Sequence, residues 1–261
     1  MKKAIYNTIG KTYDTTRKPD PEIVKTLLGL LTPNGNGVYL DVACGSGNYT
    51  DALAKSGLHI EGIDISEEML SKAKIKNPAI KWHQGDAKAL PFEDNSFEGA
   101  VCTLATHHIQ DIETAFKEIY RVIDKGNFVI FTCTPEQMQD CWLLEYFPKM
   151  MEDSMRSFSP FDRLESALSA AGFGYIKQQP FFVTDSLTDL FLYSGKYRPE
   201  IYLNPAVRAG ISSFHLSVYG DEIEVGLTRL KKDIESGYIR EIMKTYESKK
   251  GDYSFVFAKK R

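Results

Sequence analysis

Short apolar runs alternate with amphipathic stretches along the first half of the chain. The runs that predict β-strands cover residues 38–42, 59–63, 80–83, 98–104 and 127–133. The stretches between them repeat their apolar residues at helical spacing, and an earlier helix is expected to begin at Asp20 and Pro21. Strands and helices that alternate at this pitch predict parallel strands joined by right-handed crossovers.

The second half adds a helix and two strands to this pattern. A helix at about 161–171 and strands at about 175–183 and 253–259 complete an α/β fold, a doubly wound, mostly parallel, seven-stranded Rossmann-like sheet. The remaining stretches leave strand ends where ligands bind in open sheets, so we expect helical insertions that form a cap over that edge. The predicted organisation is lead-in helices at 1–32, an α/β core at 33–133, a cap insertion at 134–160, a core helix and strand at 161–183, a helical cap insertion at 184–251 and a last core strand at 252–261.

A tight turn rich in small residues follows the first predicted strand. Ala43, Gly45 and Gly47 allow the backbone to turn sharply and to approach a ligand closely. NAD sites and S-adenosylmethionine sites both use such a turn. Thr50 stands where the third glycine of an NAD motif belongs, and Asp41 beside the turn would repel a pyrophosphate. A carboxylate instead suits the ammonium and sulfonium groups of S-adenosylmethionine, so charge favours that cofactor.

Acidic residues follow the next two predicted strands. Asp64 ends the second strand, where a carboxylate can accept hydrogen bonds from both hydroxyl groups of a ribose. Asp86 follows the third strand and is placed to accept from the amino group of an adenine, while Ala87 donates its backbone N–H to the ring.

These motifs resemble the class I S-adenosylmethionine-dependent methyltransferases, in particular the small-molecule branch that includes the ubiquinone and menaquinone C-methyltransferases. The family's D-x-G-C-G-x-G corresponds to residues 41–47, its ribose acid to Asp64 and its adenine acid to Asp86. Its L-P-F-x-D-x-S-F-D corresponds to residues 90–98, and its E-x-x-R-V-L-K-P-G-G to residues 118–127. Ala43 replaces the first glycine of the family's turn, which is a mild change if its φ is negative. The resemblance covers about 38–133, less than half of the chain.

The resemblance implies methyl transfer to a small organic acceptor at O, N or C, with S-adenosyl-L-homocysteine as product. It also implies donor contacts from Ile65, Met69 and Leu104. Tyr13 and Arg17 resemble the family's Y-D-x-x-R lead-in helix, in which the tyrosine closes the donor pocket and the arginine pairs with the donor's carboxylate. An ordinary surface helix is the alternative for that segment.

Two histidines follow the fourth predicted strand, at the edge where the donor's methyl group should point. Transfer from a sulfonium needs mainly alignment and the exclusion of water, and a general base only where the acceptor must lose a proton. His107 is the candidate catalytic residue, with a structural role as the alternative.

Composition and charge limit the classes of function and of binding partner that the sequence allows. A net charge of −3 gives no reason to expect binding to nucleic acid or to anionic membranes, and the four cysteines have no metal-site spacing. The absence of a long apolar run predicts a cytoplasmic protein without a membrane span.

Residues 134–220 carry 15 aromatic residues, which suggests a planar or lipophilic acceptor. A regulatory module that binds S-adenosylmethionine without turnover, and an NAD-dependent oxidoreductase, are the alternatives; the acceptor and the oligomeric state stay open.

Overall fold

A computed structural model describes residues 13–35, 37–215 and 219–260. The strands are β1 (Tyr39–Val42), β2 (Ile60–Asp64), β3 (Trp82–Gln84), β4 (Gly99–Thr103), β5 (Asn127–Thr132), β6 (Gly174–Phe181) and β7 (Tyr253–Lys259). The α-helices are α1 (Tyr13–Thr16), α2 (Pro21–Leu31), α3 (Asn48–Lys55), α4 (Glu67–Lys76), α5 (Ile112–Val122), α6 (Pro135–Met138), α7 (Pro148–Ser157), α8 (Phe161–Ala171), α9 (Pro205–Ala209), α10 (Gly220–Ser236) and α11 (Ile239–Thr245). No helix among these residues is long and apolar enough to cross a membrane.

The seven strands form one sheet in the order β3-β2-β1-β4-β5-β7-β6. The four pairs from β3 to β5 are parallel, and β7 runs antiparallel to β5. The chain leaves β1 toward β2 on one side and later returns to place β4 on the other. The strand order therefore reverses at β1, and in open α/β sheets ligands bind beyond the carboxyl ends of the strands at such a point. The predicted mostly parallel, doubly wound fold is confirmed.

The helices begin and end where their sequence signals predict. Asp20 caps α2, because its Oδ1 accepts from the N–H of Glu22 at 3.0 Å. Asp111 caps α5 in the same way, with its Oδ1 3.0 Å from the N–H of Thr114. Gly172 ends α8 with a left-handed φ of 110°. Each signal lies within one turn of its helix end, which explains why the sequence alone identified these elements.

The chain divides into two compact units. One, the sheet unit, comprises residues 19–132, 159–179 and 254–261; the other, the helical unit, comprises 1–18, 133–158 and 180–253. Helix α2 therefore belongs to the sheet unit, whereas we had grouped it with the lead-in segment at 1–32. The predicted cap insertions, 134–160 and 184–251, fall almost entirely within the helical unit.

The interior of the helical unit explains its many aromatic residues. Within residues 134–220, the stretch whose aromatic residues suggested a planar or lipophilic acceptor, six aromatic side chains of this unit are at most 5 % exposed: Trp142, Tyr146, Phe147, Phe191, Tyr193 and Tyr202. The Trp142 ring meets those of Tyr146 and Tyr202 edge to face, with centroids 6.0 and 5.6 Å apart. Such pairs are typical of a packed core, so most of these residues build the unit itself. Tyr197, at 52 % exposed, is an exception.

Candidate active site

The turn after β1 holds the backbone in an unusual conformation. We call residues 43–47 the glycine turn. Gly45 and Gly47 have φ values of 56° and 72°, which glycine adopts without strain. Ala43 has a φ of 57°, so the condition under which this replacement would be mild, a negative φ, is not met. The replacement of the family's first glycine therefore leaves a strained residue, because a Cβ disfavours the left-handed region.

Asp41 lies at the carboxyl end of β1 and is buried, with 2 % of its surface exposed. Its Oδ2 accepts from the hydroxyl of Thr50 in α3 at 2.6 Å, while its Oδ1 has no hydrogen-bond partner among the described residues. Burial raises the pKa of Asp41 to about 7; the Thr50 hydroxyl opposes that rise and the negative charge of Asp64 adds to it. A half-satisfied buried carboxylate of this kind attracts a cation.

Asp64 joins the glycine turn to the end of β2. Its Oδ2 accepts from the N–H of Gly45 and its Oδ1 from the N–H of Ser66, each at 2.8 Å. Burial raises the pKa of Asp64, and these N–H groups oppose the rise. The backbone N–H of Ile65 also hydrogen-bonds to this carboxylate and opposes the rise in its pKa. A carboxylate has about four lone-pair positions, so about one remains for a ligand hydroxyl beside these three N–H groups.

Two residues of the adjacent helix region differ sharply in exposure. Ile65, directly after Asp64, is 50 % exposed. Met69 is 2 % exposed, and its Cε lies 3.4 Å from where a Cβ on Gly45 would stand. Met69 therefore supports the glycine turn from the helix α4 side.

The segment after β3 places Asp86 in a local turn. Its Oδ1 accepts from the N–H of Lys88 at 3.0 Å, and its side chain is 40 % exposed. Ala87 is partly buried and packs against the apolar core of the sheet unit. The Asp86 carboxylate is therefore open to solvent, with Ala87 fixed beside it.

Glu118 and Arg121 of α5 hold the next residues by hydrogen bonds that no local sequence pattern predicted. The Glu118 carboxylate accepts from the N–H of Leu90 at 2.9 Å. Arg121 donates to the carbonyl oxygens of Leu90 at 3.0 Å and Phe92 at 2.7 Å, and to the carboxylate of Asp94 at 2.9 Å. The hydrogen bond from Arg121 lowers the pKa of Glu118. The two family motifs that contain these residues thus fasten to each other.

The fourth strand ends in a second strained residue. Leu104 has a φ of 52°, and its N–H donates to the carbonyl oxygen of Phe131 at 2.7 Å. A short 3-10 helix, Thr106–His108, follows, and the Thr106 hydroxyl lies 3.1 Å from that of Thr132. Strain in a residue with a β-carbon persists only where its surroundings impose it, and such residues concentrate at functional sites.

His107 and His108 are both half-buried in this short helix, with ring centroids 3.8 Å apart. The structure thus places Asp41, Ala43, Gly45, Gly47, Asp64, Ile65, Met69, Asp86, Ala87, Leu104 and His107 at the carboxyl ends of β1 to β4 or in the segments that follow them. Their roles in binding and catalysis stay predictions.

The two lead-in residues belong to the helical unit. The side chain of Tyr13 lies outside the described residues. Arg17 forms a two-point ion pair with Asp189, with its Nε 2.6 Å from Oδ1 and its Nη2 3.2 Å from Oδ2. Both side chains are largely buried, at 12 % and 1 % exposed. The guanidinium that we had expected to bind the donor's carboxylate therefore already has an anionic partner within its own unit.

Comparison with known proteins places this site in context. A family model described as a methyltransferase domain matches residues 40–131. The demethylmenaquinone methyltransferase of Staphylococcus aureus strain JH9 is 30 % identical over 188 residues, which cover 68 % of this chain and 73 % of that protein. The malonyl-[acyl-carrier protein] O-methyltransferase of Erwinia billingiae is 31 % identical over 128 residues, 49 % of this chain, and the match spans about half (51 %) of that relative's length.

A solved structure is similar over nearly the whole chain. It is described as that of a methyltransferase from an antibiotic biosynthesis pathway of Anabaena variabilis ATCC 29413. It is 35 % identical, has a TM-score of 0.85, and the match covers 93 % of this chain and 98 % of that one. The similarity therefore includes both the sheet unit and the helical unit.

Proposed function

Because the chain belongs to the class I S-adenosylmethionine-dependent methyltransferases, we propose that it transfers a methyl group from S-adenosylmethionine to a small organic acceptor. The observation that carries this proposal is the buried Asp41 carboxylate, whose Oδ1 has no partner among the residues described. A cationic donor would neutralise that charge, whereas the pyrophosphate of a dinucleotide would add to it.

The other strand ends fit the remaining parts of the donor. The remaining acceptor position of the Asp64 carboxylate suits a ribose hydroxyl, and the exposed side chain of Ile65 suits one face of the adenine. The open carboxylate of Asp86 suits the adenine amino group, and the N–H of Ala87 suits a ring nitrogen. Because Arg17 is paired with Asp189, we propose that Tyr13 and Arg17 contribute to donor binding indirectly, by stabilising the helical unit.

The donor supplies a methyl group already activated on its sulfonium. The residues of the chain then need only to hold the donor and the acceptor in line and to exclude water. We propose His107 as the general base for an acceptor that must lose a proton. Its position directly beyond the end of β4, beside the strained Leu104, supports this role.

The acceptor is proposed at the level of its chemical class. The two curated relatives are named for different small substrates, a demethylmenaquinone and a malonyl group on acyl-carrier protein. We therefore propose a small organic acceptor, methylated at O, N or C.

Binding and turnover test the proposal in two steps. Calorimetry should detect S-adenosylmethionine and S-adenosylhomocysteine but not NAD; uptake of NAD alone would overturn the assignment. Incubation with S-adenosylmethionine and a panel of quinols, phenols, amines and carboxylate thioesters should then release S-adenosylhomocysteine, and mass spectrometry should find one product heavier by a methyl group. Binding without release over the whole panel would favour the regulatory module.

His107 is tested against its neighbour in the same short helix. His107→Ala should lower turnover while the affinity for S-adenosylmethionine changes little, because the histidine acts on the acceptor. His108→Ala is the matched control for loss of the contact between the two tilted rings. Equal turnover in the wild type and in His107→Ala would remove His107 from the mechanism.

A further inference from the structure

Three residues lie in register across the first three strands of the sheet. Asp41 of β1 pairs with Gly62 of β2, and Gly62 pairs with Trp82 of β3. Partners in register on parallel strands point to the same face of a sheet. Gly62, having no side chain, leaves a space on that face between the aspartate and the tryptophan.

The Trp82 indole occupies this space and reaches the glycine turn. A Cβ built on Gly62 would lie 2.6 Å from Cε3 and Cζ3 of Trp82, and one built on Gly47 would lie 2.3 Å from Cη2. A side chain at either position would clash with the indole, so the packing of Trp82 requires glycine at both. The indole is fixed in turn by a hydrogen bond of 2.9 Å from its Nε1 to the carbonyl oxygen of Asn77.

Lys76 holds the same turn by a polar contact. This residue ends α4, directly before Asn77, and its Nζ donates to the carbonyl oxygen of Ser46 at 2.8 Å and to Oδ1 of Asn48. Ser46 lies between the two glycines with positive φ. The ammonium therefore fixes the orientation of the peptide at the centre of the turn.

We propose that Lys76 and Trp82 are positioning residues: by holding the backbone of the glycine turn in place, they set the affinity for the methyl donor. This inference rests on the proposed function. The turn has two left-handed glycines, which leave its backbone many alternative conformations once external contacts are removed. A site whose supporting contacts are lost binds its ligand less tightly even when every ligand contact residue is still present.

Replacement of the ammonium by a methyl group tests the polar contact. Lys76→Met keeps most of the side-chain length but removes the donor to Ser46 and Asn48. We expect the dissociation constant for S-adenosylhomocysteine, measured by calorimetry, to rise about tenfold, because charge-assisted hydrogen bonds are among the stronger contacts. At saturating donor, kcat should change less than threefold, so the loss should appear in KM.

Two variants separate positioning from other effects. Lys74→Met removes an exposed lysine from the same helix and should bind like the wild type. Lys76→Arg restores a cationic donor and should recover most of the affinity. The proposal is overturned if Lys76→Met binds S-adenosylhomocysteine within twofold of wild type, or if Lys74→Met loses as much.

Fluorescence reports on the indole itself. The chain has two tryptophans, so in a Trp142→Phe background Trp82 is the single emitter. Its emission should change saturably with S-adenosylhomocysteine, with the same midpoint as calorimetry, and Lys76→Met should move both midpoints together. An emission that ignores ligand bound by calorimetry would show that the indole and the turn are not coupled.

The two proposals fail in different ways. If wild-type protein takes up neither S-adenosylmethionine nor S-adenosylhomocysteine, the proposed function is wrong. If wild type binds both and the Lys76 and Trp82 measurements show no change, the proposed function stands and the positioning role is wrong.

Discussion

The substitution Asp41→Asn tests how the buried carboxylate at the carboxyl end of β1 changes the stability of the protein with pH. Asp41→Asn keeps the shape of the side chain and an oxygen that can accept from Thr50, but it cannot ionise. In the wild type, burial raises the pKa of Asp41 from 3.8 to about 7. The substitution therefore removes one titrating group whose folded and unfolded pKa values differ strongly.

The sign of the effect follows from proton binding. Because the pKa of Asp41 is higher in the folded state, the folded protein holds this proton between about pH 4 and pH 7 while the unfolded chain has lost it. The free energy of unfolding must then fall as the pH rises through that window. A pKa difference of about 3 at about 1.4 kcal/mol per pH unit gives about 4 kcal/mol in total, and more than half of this is lost between pH 5 and pH 8.

Urea unfolding at pH 5 and pH 8 measures this difference. Wild type should lose roughly 2–3 kcal/mol more than Asp41→Asn over that interval, since every other group titrates in both proteins. Glu93→Gln, which removes an exposed carboxylate, should behave like wild type. If Asp41→Asn and wild type lose the same free energy, Asp41 does not change its protonation in this range and the reasoning is refuted.

Three further substitutions test other contacts. Ala43→Gly should raise the free energy of unfolding by about 0.5–1 kcal/mol in urea unfolding, because it relieves the strain of a positive φ; a decrease would contradict that. Arg121→Ala should lower it by about 1–2 kcal/mol and weaken S-adenosylhomocysteine binding, whereas Arg163→Ala, which breaks an exposed ion pair, should cost less than about 1 kcal/mol and leave binding unchanged. Asp189→Asn should cost about 3 kcal/mol, since it leaves the buried Arg17 guanidinium without its counter-ion, and should speed proteolysis near residue 17; unaltered digestion would contradict this.

Local signals explain how much of the fold was predictable. The cap at Asp111 and the apolar spacing of α5 lie within twelve neighbouring residues, and α5 lies where helical spacing was found between the strands expected at 98–104 and 127–133. The prediction was less accurate for β3, expected at 80–83 and observed at Trp82–Gln84. That strand is three residues long at the sheet edge, so its hydrogen bonds, more than its own composition, set its bounds.

Contacts between distant residues could not be predicted in the same way. Arg17 and Asp189 are 172 positions apart, and no local pattern indicates that they pair. The positive φ of Ala43 could not be predicted for a related reason. Its backbone conformation is imposed by the turn, whose neighbouring N–H groups bond to Asp64 and to the end of β2, and those partners outweigh the preference of alanine itself.

The position of Asp41 is unfavourable for folding at neutral pH for the same reason that it favours a cation. A charge removed from water gains little from the 2.6 Å hydrogen bond to Thr50 alone, and its Oδ1 stays unsatisfied among the described residues. From pH 5 to pH 8, the free energy of unfolding of Asp41→Asn should therefore fall less than that of wild type. The same variant should bind S-adenosylmethionine more weakly. These two changes have one cause, so they should occur together. A variant that lost the pH dependence but bound the donor unchanged would show that Asp41 is not the counter-ion of the donor, and would remove the observation on which the proposed function depends.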